Sequence, residues 1–328
     1  MLVRLFRQNQ PLALLGQIPM VLLLWPGGGS GEVDLNLPAD QGMPFFRAFT
    51  ALCSLSSWAG SVAGFILLAG LVTQLNYTTN ESDLFGRRNH LPALLLPLLL
   101  ALFPMGMVAD PAMLGAPFVL WAVRRLWASQ GDQRVLGPLF DAGLLIGLAA
   151  MCYLPYLFLV VVIWSSISVM RPFHWREYMM PLLGALVVLS IARCVIYLLA
   201  PSAWDPVGSL VMPFAGAALL PSPHWLWPIL LVLVFLGFVV SAVPAFAAGY
   251  SRGVMREKNT RASLLAFSFA FGLLAAFAWF AQRHLPSVFI GVPLAIFFSY
   301  PLLVAKRMTL AETGVIGLLA LGLWARWG

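Results

Sequence analysis

Three groups of residues in this chain have the type and setting to do chemistry, and each interrupts or borders apolar sequence. Arg193 stands inside LSIARCVIYLLA. A guanidinium at such depth in hydrocarbon costs roughly 2.5–3.5 kcal/mol on insertion scales, so a carboxylate, a phosphate or a wet cavity is expected beside it. Binding a substrate anion would meet that need, and so would snorkelling or a structural ion pair. The segment PGGGSGEVDLNLPADQGMP carries Glu32, Asp34 and Asp40 and no base. Such carboxylates suit general-base work or a divalent cation, although E-x-D-x5-D matches no strict metal motif and a solvated loop has the same composition. Arg47 follows and could anchor phosphate or pair with Asp40. Asp110, directly before Pro111, is either an acid facing an outward cavity or an ordinary helix N-cap. The pair Arg283-His284 in AQRHLPSV could grip an anionic head group or anchor an interface.

The elements that must position these residues follow from composition. Hydrophobic residues make up 61% of 328 positions, charged residues 9%, and mean hydropathy is +0.90. No soluble domain of this size could cover that surface with polar groups, so lipid is the solvent. The net charge of +7 then belongs to loops facing anionic head groups, and nucleic acid is excluded as a partner. Cys53, Cys152 and Cys194 share no metal-ligand spacing and read as small core residues. The start has the charge pattern of a signal peptide without a clean cleavage site, and is taken as the first helix.

A crossing of about 30 Å needs roughly 20 helical residues. The apolar runs predict eleven: 11–25, 45–75, 91–108, 112–126, 139–153, 155–169, 179–200, 225–249, 263–281, 287–304 and 310–325. The decisive run is 139–169, which is either one helix kinked at Pro155 or two short helices turning at Cys152-Tyr153-Leu154-Pro155. One crossing would export Arg171, Arg176 and the four-charge loop 251–262. Two crossings hold fifteen of the nineteen Lys and Arg on one side, leaving out only Arg47, Arg193, Arg283 and Arg326. Retention of cations inside therefore predicts a multi-pass membrane protein with its amino terminus cytoplasmic and its carboxyl terminus outside. Segment 207–220, between Pro206 and Pro221, is expected along the outer interface.

On the inner side, the sequons at Asn76 and Asn80 should stay unglycosylated, and SRGVMREKNTRAS reads as a topology determinant. No P-loop, G-x-G-x-x-G or H-E-x-x-H occurs, and the four histidines fall at segment ends. ATP hydrolysis, dinucleotide redox chemistry and zinc proteolysis thus have no sequence support. No metal site is assigned, and a divalent cation is the only added group the outward acids could hold.

The run NHLPALLLPLLLALFP, DPAMLGAPFVLWAVRRLW, FDAGLLIGLAAMCYLPYLFLVVVIW and RPFHWREYMMPLLG resembles an uncharacterised polytopic inner-membrane family of Bacteroidota. The same stretch more weakly resembles the membrane core of GT-C glycosyltransferases, through Ala142-Gly143-Leu144-Leu145-Ile146-Gly147-Leu148-Ala149 before a proline-broken helix pair. That second resemblance implies sugar transfer from a polyprenyl-phosphate carrier at the outer face. Glu32, Asp34 or Asp40 would then supply the first-loop acid and Asp110 a second, with Arg193 and Arg283 as phosphate partners. The first loop is short for that family, and no large soluble domain follows. The expectation is an all-α polytopic membrane protein forming a single domain over 1–328, with a GT-C-like core near 1–200 and further helices over 225–328. Its expected work is envelope glycan assembly on a polyprenyl-phosphate-linked sugar, with the bilayer and other envelope proteins as partners. A lipid-linked-sugar flippase, a small-solute carrier and a non-catalytic scaffold stand as alternatives.

Overall fold

Helix is the only regular structure among the described residues of a computed structural model, which are 2–8, 11–25, 42–56, 58–103, 107, 109–130, 135–199, 210, 226–282, 284–305 and 307–327. The helices are α1 (Leu2–Arg7), α2 (Pro11–Leu24), α3 (Pro44–Cys53), α4 (Ala59–Glu81), α5 (Leu91–Ala101), α6 (Pro111–Ala128), α7 (Leu136–Cys152), α8 (Leu159–Met170), α9 (Trp175–Leu199), α10 (Leu226–Arg252), α11 (Met255–Phe277), α12 (Ser287–Val304) and α13 (Met308–Trp327). Among the described residues, four stretches are long and apolar enough to cross a membrane: Ala59–Glu81, Trp175–Leu198, Met255–Gln282 and Ser287–Val304. Shorter apolar helices accompany them, as in a multi-pass membrane protein. Proline opens α2, α3 and α6, where its missing N–H and fixed φ suit the first turn.

Residues 45–75, expected as one crossing, form two helices. The SLSS sequence ends α3, and the Ser54 hydroxyl donates to the Ala51 carbonyl 2.8 Å away. Serine side chains compete in this way with the helical ladder. The short helix that results is amphipathic, burying Phe46 and Cys53 and exposing Phe45 and Leu52. The run 91–108 is also shorter than expected, with α5 ending at Ala101.

Residues 139–169 form a hairpin. Tyr153 is extended (φ −144°, ψ 104°), and a tight 3₁₀ turn over Leu154–Phe158 leads into α8. Pro155 has no N–H to continue the α7 ladder. Helix directions confirm the reversal. A Cβ on Gly143 would strike Pro181, and one on Gly147 would meet Ala185 and Val188 further along, so α7 and α9 run parallel. Two parallel helices joined by α8 require α8 to return between them.

The same contacts show why the glycines are there. Gly143, Gly147 and Gly184 let the α7 and α9 backbones touch, since a Cβ on Gly184 would overlap the Phe140 carbonyl. Where lipid removes the hydrophobic gain between helices, such close approach is a main source of attraction. The Gly143-x-x-x-Gly147 pattern thus has a packing cause in this fold.

The helices α7, α8 and α9 alternate in direction along the chain, and the bundle has two ends. Arg125 Nε lies 3.9 Å from Asp141 Oδ2 at one end of α6 and α7, whereas a Cβ on Gly115 would sit 3.1 Å from the Ala149 carbonyl towards the other. Arg7, Arg87, Arg124, Arg125 and Arg261 gather at the first end through their contacts with Ala305, Leu303, Glu81, Asp141 and Leu84. The second end carries Asp110, Tyr153, Gln282 and His284. A continuous apolar core runs between them.

Candidate functional site

Asp110 and His284 meet at the arginine-poor end. Asp110 is the N-cap of α6, with extended backbone (φ −89°, ψ 167°), and Pro111 takes the first helical position. Its Oδ1 accepts the Met113 backbone N–H at 2.5 Å. The capping reading is therefore correct, and it uses only one carboxylate oxygen. Oδ2 lies 3.4 Å from His284 Nε2, and both side chains are about nine-tenths buried. His284 reaches this position because α11 ends in a wide π-helical turn over Ala278–Gln282, and the His284 backbone N–H returns to the Ala278 carbonyl at 3.4 Å.

The surrounding wall is aromatic and fully engaged. Tyr153 donates its hydroxyl to Gln282 Oε1 at 2.8 Å, and Gln282 Nε2 donates to the Leu210 carbonyl at 3.2 Å. Tyr156 donates to the Ala112 carbonyl at 2.6 Å, in the first turn of α6. Its ring meets those of Tyr153 and Phe289 edge-on, with both centroid separations 5.6 Å. This shell fixes the tyrosines against α6 and α12 at the same end as the Asp110–His284 pair. A carboxylate on one imidazole nitrogen orients the ring, an arrangement that can hold or move a proton. Sequence reasoning named Asp110 and His284 separately but missed Tyr153, Tyr156 and Gln282. The available signal was Y-x-x-Y flanking Pro155, read there only as a turn.

Other proposed site residues lie apart or undescribed. Arg193 is exposed on α9, which packs along α7 and α8, and α7 intervenes between α9 and α6. Arg47 is half-buried on α3. Glu32, Asp34, Asp40, Arg283 and segment 207–220 lie outside the described residues. Among the described residues no three His, Cys, Asp or Glu side chains group as metal ligands. Cys53 and Cys152 are buried, as expected, but Cys194 is exposed on the outer face of α9.

A family model described as a family of unknown function, DUF6427, matches residues 48–324. The chain belongs to DUF6427. That DUF6427 match takes in Asp110, Arg193 and His284 and begins after Glu32, Asp34, Asp40 and Arg47. No curated protein and no solved structure matches the chain.

The arginine-rich end of this DUF6427 member holds a second polar cluster, which sequence reasoning treated as topology alone. Arg261 is 4% exposed, and its Nε and Nη2 donate to the Leu84 carbonyl at 3.3 and 3.2 Å. Nη1 donates to the Gly249 carbonyl, and Tyr300 adds a third bond to Leu84 O at 3.1 Å. One arginine thereby ties the 82–90 turn to α10 and α11. Beside it, Asn76 Nδ2 donates to His90 Nδ1 at 2.8 Å, and both residues are buried. Desolvation by burial holds the His90 ring below its ordinary value. Asn76 is thus a packed hydrogen-bond donor in the folded chain, out of reach of a glycosylating enzyme.

Proposed function

We propose that this DUF6427 member is a bacterial inner-membrane protein acting in envelope glycan assembly at its outward, arginine-poor face. In this reading eleven helical segments, from α2 to α13 without α3, cross the bilayer, with the amino terminus cytoplasmic and the carboxyl terminus periplasmic. Gathering of Arg7, Arg87, Arg124, Arg125 and Arg261 at one end supports that orientation, because retained cations mark the cytoplasmic side. The observation that carries the functional reading is the buried Asp110–His284 pair at the opposite end. There it would accept the proton of an acceptor hydroxyl as sugar leaves a polyprenyl phosphate. Arg193, exposed on α9, would meet that phosphate from the lipid side. First-loop acids Glu32, Asp34 and Asp40 belong to the same proposal, with a divalent cation as an optional addition. The weak GT-C resemblance remains part of it.

A second reading, a non-catalytic scaffold for an envelope machine, has its own support. Asp110, Tyr153, Tyr156 and Gln282 are all occupied by protein partners. A small cavity among the described residues lies elsewhere and is lined by Leu126, Ile146, Phe267 and other apolar groups around Ser166 and Ser263. A flippase or solute carrier is less well supported, since Arg193 faces outward from α9.

The test substitutes Asp110→Asn and Arg193→Ala and measures lipid-linked sugar precursors in cells. Accumulated precursor in either variant, at normal protein level, supports transfer. Unchanged precursor in both, with envelope defects only on deletion of the protein, favours the scaffold. Labelling a cysteine placed at exposed Met255 from the periplasm would overturn the orientation.

A further inference from the structure

Two guanidinium groups meet at the arginine-rich end of the bundle with only backbone and sulfur to hold them. Arg7 closes α1 and donates from Nη1 to the Ala305 carbonyl at 3.3 Å and to Met308 Sδ at 2.9 Å. Arg87 donates from Nη2 to the Leu303 carbonyl at 2.5 Å. Both therefore sit on the carboxyl end of α12, on acceptors two residues apart. Burial, and then the charge of Arg7, holds the Arg87 guanidinium below its ordinary value.

Nothing described neutralises them. Among the described residues no carboxylate pairs with Arg7 or Arg87, nor with Arg4, Arg88 or Arg307 nearby in the chain. The end of α12 contributes a partial negative charge of about one half, too little to offset two cations. Each guanidinium offers five N–H donors, and most remain for another acceptor.

The patch is also built in advance. Phe6 and Val3 bury α1 against the bundle, and the His90 backbone N–H fixes the Phe6 carbonyl at 2.8 Å. Beside the arginines, apolar side chains stand open: Val304 is 62% exposed and Leu310 63%. A ligand that suits this surface has a phosphate for the guanidiniums and a hydrocarbon chain for the apolar rim.

We propose that Arg7 and Arg87 bind the phosphate of an anionic phospholipid head group, with its acyl chains lying along Val304 and Leu310. Free phosphate shares the polar chemistry but leaves the apolar rim unused, so the lipid is the preferred source. Basic pockets at the membrane surface attract anionic lipids by about 1 kcal/mol for each cation.

Native mass spectrometry of the full-length protein tests this. The protein is released from detergent after incubation with phosphatidylglycerol, phosphatidylethanolamine or inorganic phosphate. Phosphatidylglycerol should be retained over phosphatidylethanolamine, and inorganic phosphate at the same concentration should not displace it. The double variant Arg7→Gln/Arg87→Gln should weaken retention by about thirtyfold. Arg125→Gln, at the same end, should leave retention unchanged. Equal retention by the double variant, an equal loss with Arg125→Gln, no preference between the lipids, or displacement by inorganic phosphate would each overturn the proposal. A second measurement keeps both arginines. With Leu310→Trp in vesicles, brominated phosphatidylglycerol should quench the indole more strongly than brominated phosphatidylcholine, and equal quenching would count against the site.

Discussion

Gly143 lies directly against the backbone of Pro181, so closely that a Cβ on the glycine would overlap the Pro181 carbonyl oxygen. That contact sets the distance between α7 and α9, and with it the position of the hairpin that carries Tyr153 and Tyr156 to Asp110. Gly70 on α4, by contrast, has open space where its Cβ would stand. Gly143→Leu should lower stability by about 3 kcal/mol or more through overpacking, and Gly70→Ala should not lower it. Thermal melting in detergent measures both. Equal melting of Gly143→Leu and the parent would mean that α7 and α9 do not meet this way.

Asp110 does two jobs, and two substitutions separate them. Asp110→Ala removes the acceptor for Met113 N–H and should cost about 1 kcal/mol for the lost cap alone. It also leaves His284 without its carboxylate. Asp110→Asn keeps a capping oxygen, so it should melt nearer to the parent. A precursor defect in the Asn variant would then report on the carboxylate, since the fold is retained.

Arg261 and Tyr300 share one acceptor, the Leu84 carbonyl. Tyr300→Phe should cost about 1 kcal/mol, and Arg261→Ala about 3 kcal/mol, because the arginine also holds Gly249. The double variant should lose more than the two single losses added, since either single deletion leaves Leu84 partly satisfied and only the double leaves it bare. Strict additivity in denaturation midpoints would show that the bonds act independently.

His90 gives the arginine-rich end a pH dependence with a definite sign. Burial holds its pKa below the ordinary 6.5, so the folded chain prefers the neutral ring that accepts from Asn76. As pH falls, the unfolded chain takes up the proton first. The stabilisation is therefore whole above about 6.5, and it is lost as pH drops through that value towards the lower folded one. Melting temperature should fall on acidification from neutrality to about pH 5.5, and His90→Gln should flatten the curve. A parent curve as flat as the variant's would show that His90 does not titrate with unfolding.

Much of the architecture was legible because it rests on local chemistry. Apolar runs, prolines and the placing of arginines signalled helices, their ends and the hairpin at Pro155. The break after Cys53 was harder to see, since SLSS offers only three serines between two apolar runs. Asp110 was legible as a cap because capping involves residues within one turn. Its meeting with His284 was not, because the partners stand 174 positions apart.

Composition and the order of apolar and basic segments were enough to show that this chain is helical, with helices apolar enough for a multi-pass membrane protein, since burial and capping respond to residue type and near neighbours. Which faces touch was settled by folding. Gly143 against Pro181, Arg261 on Leu84 and His284 on Asp110 all depend on how helices distant in the chain cross, and on a backbone approach that a missing Cβ permits. Arg193 shows the same division. Its type called for a compensating partner, and its exposed placement on α9 came from the packing of that helix against α7.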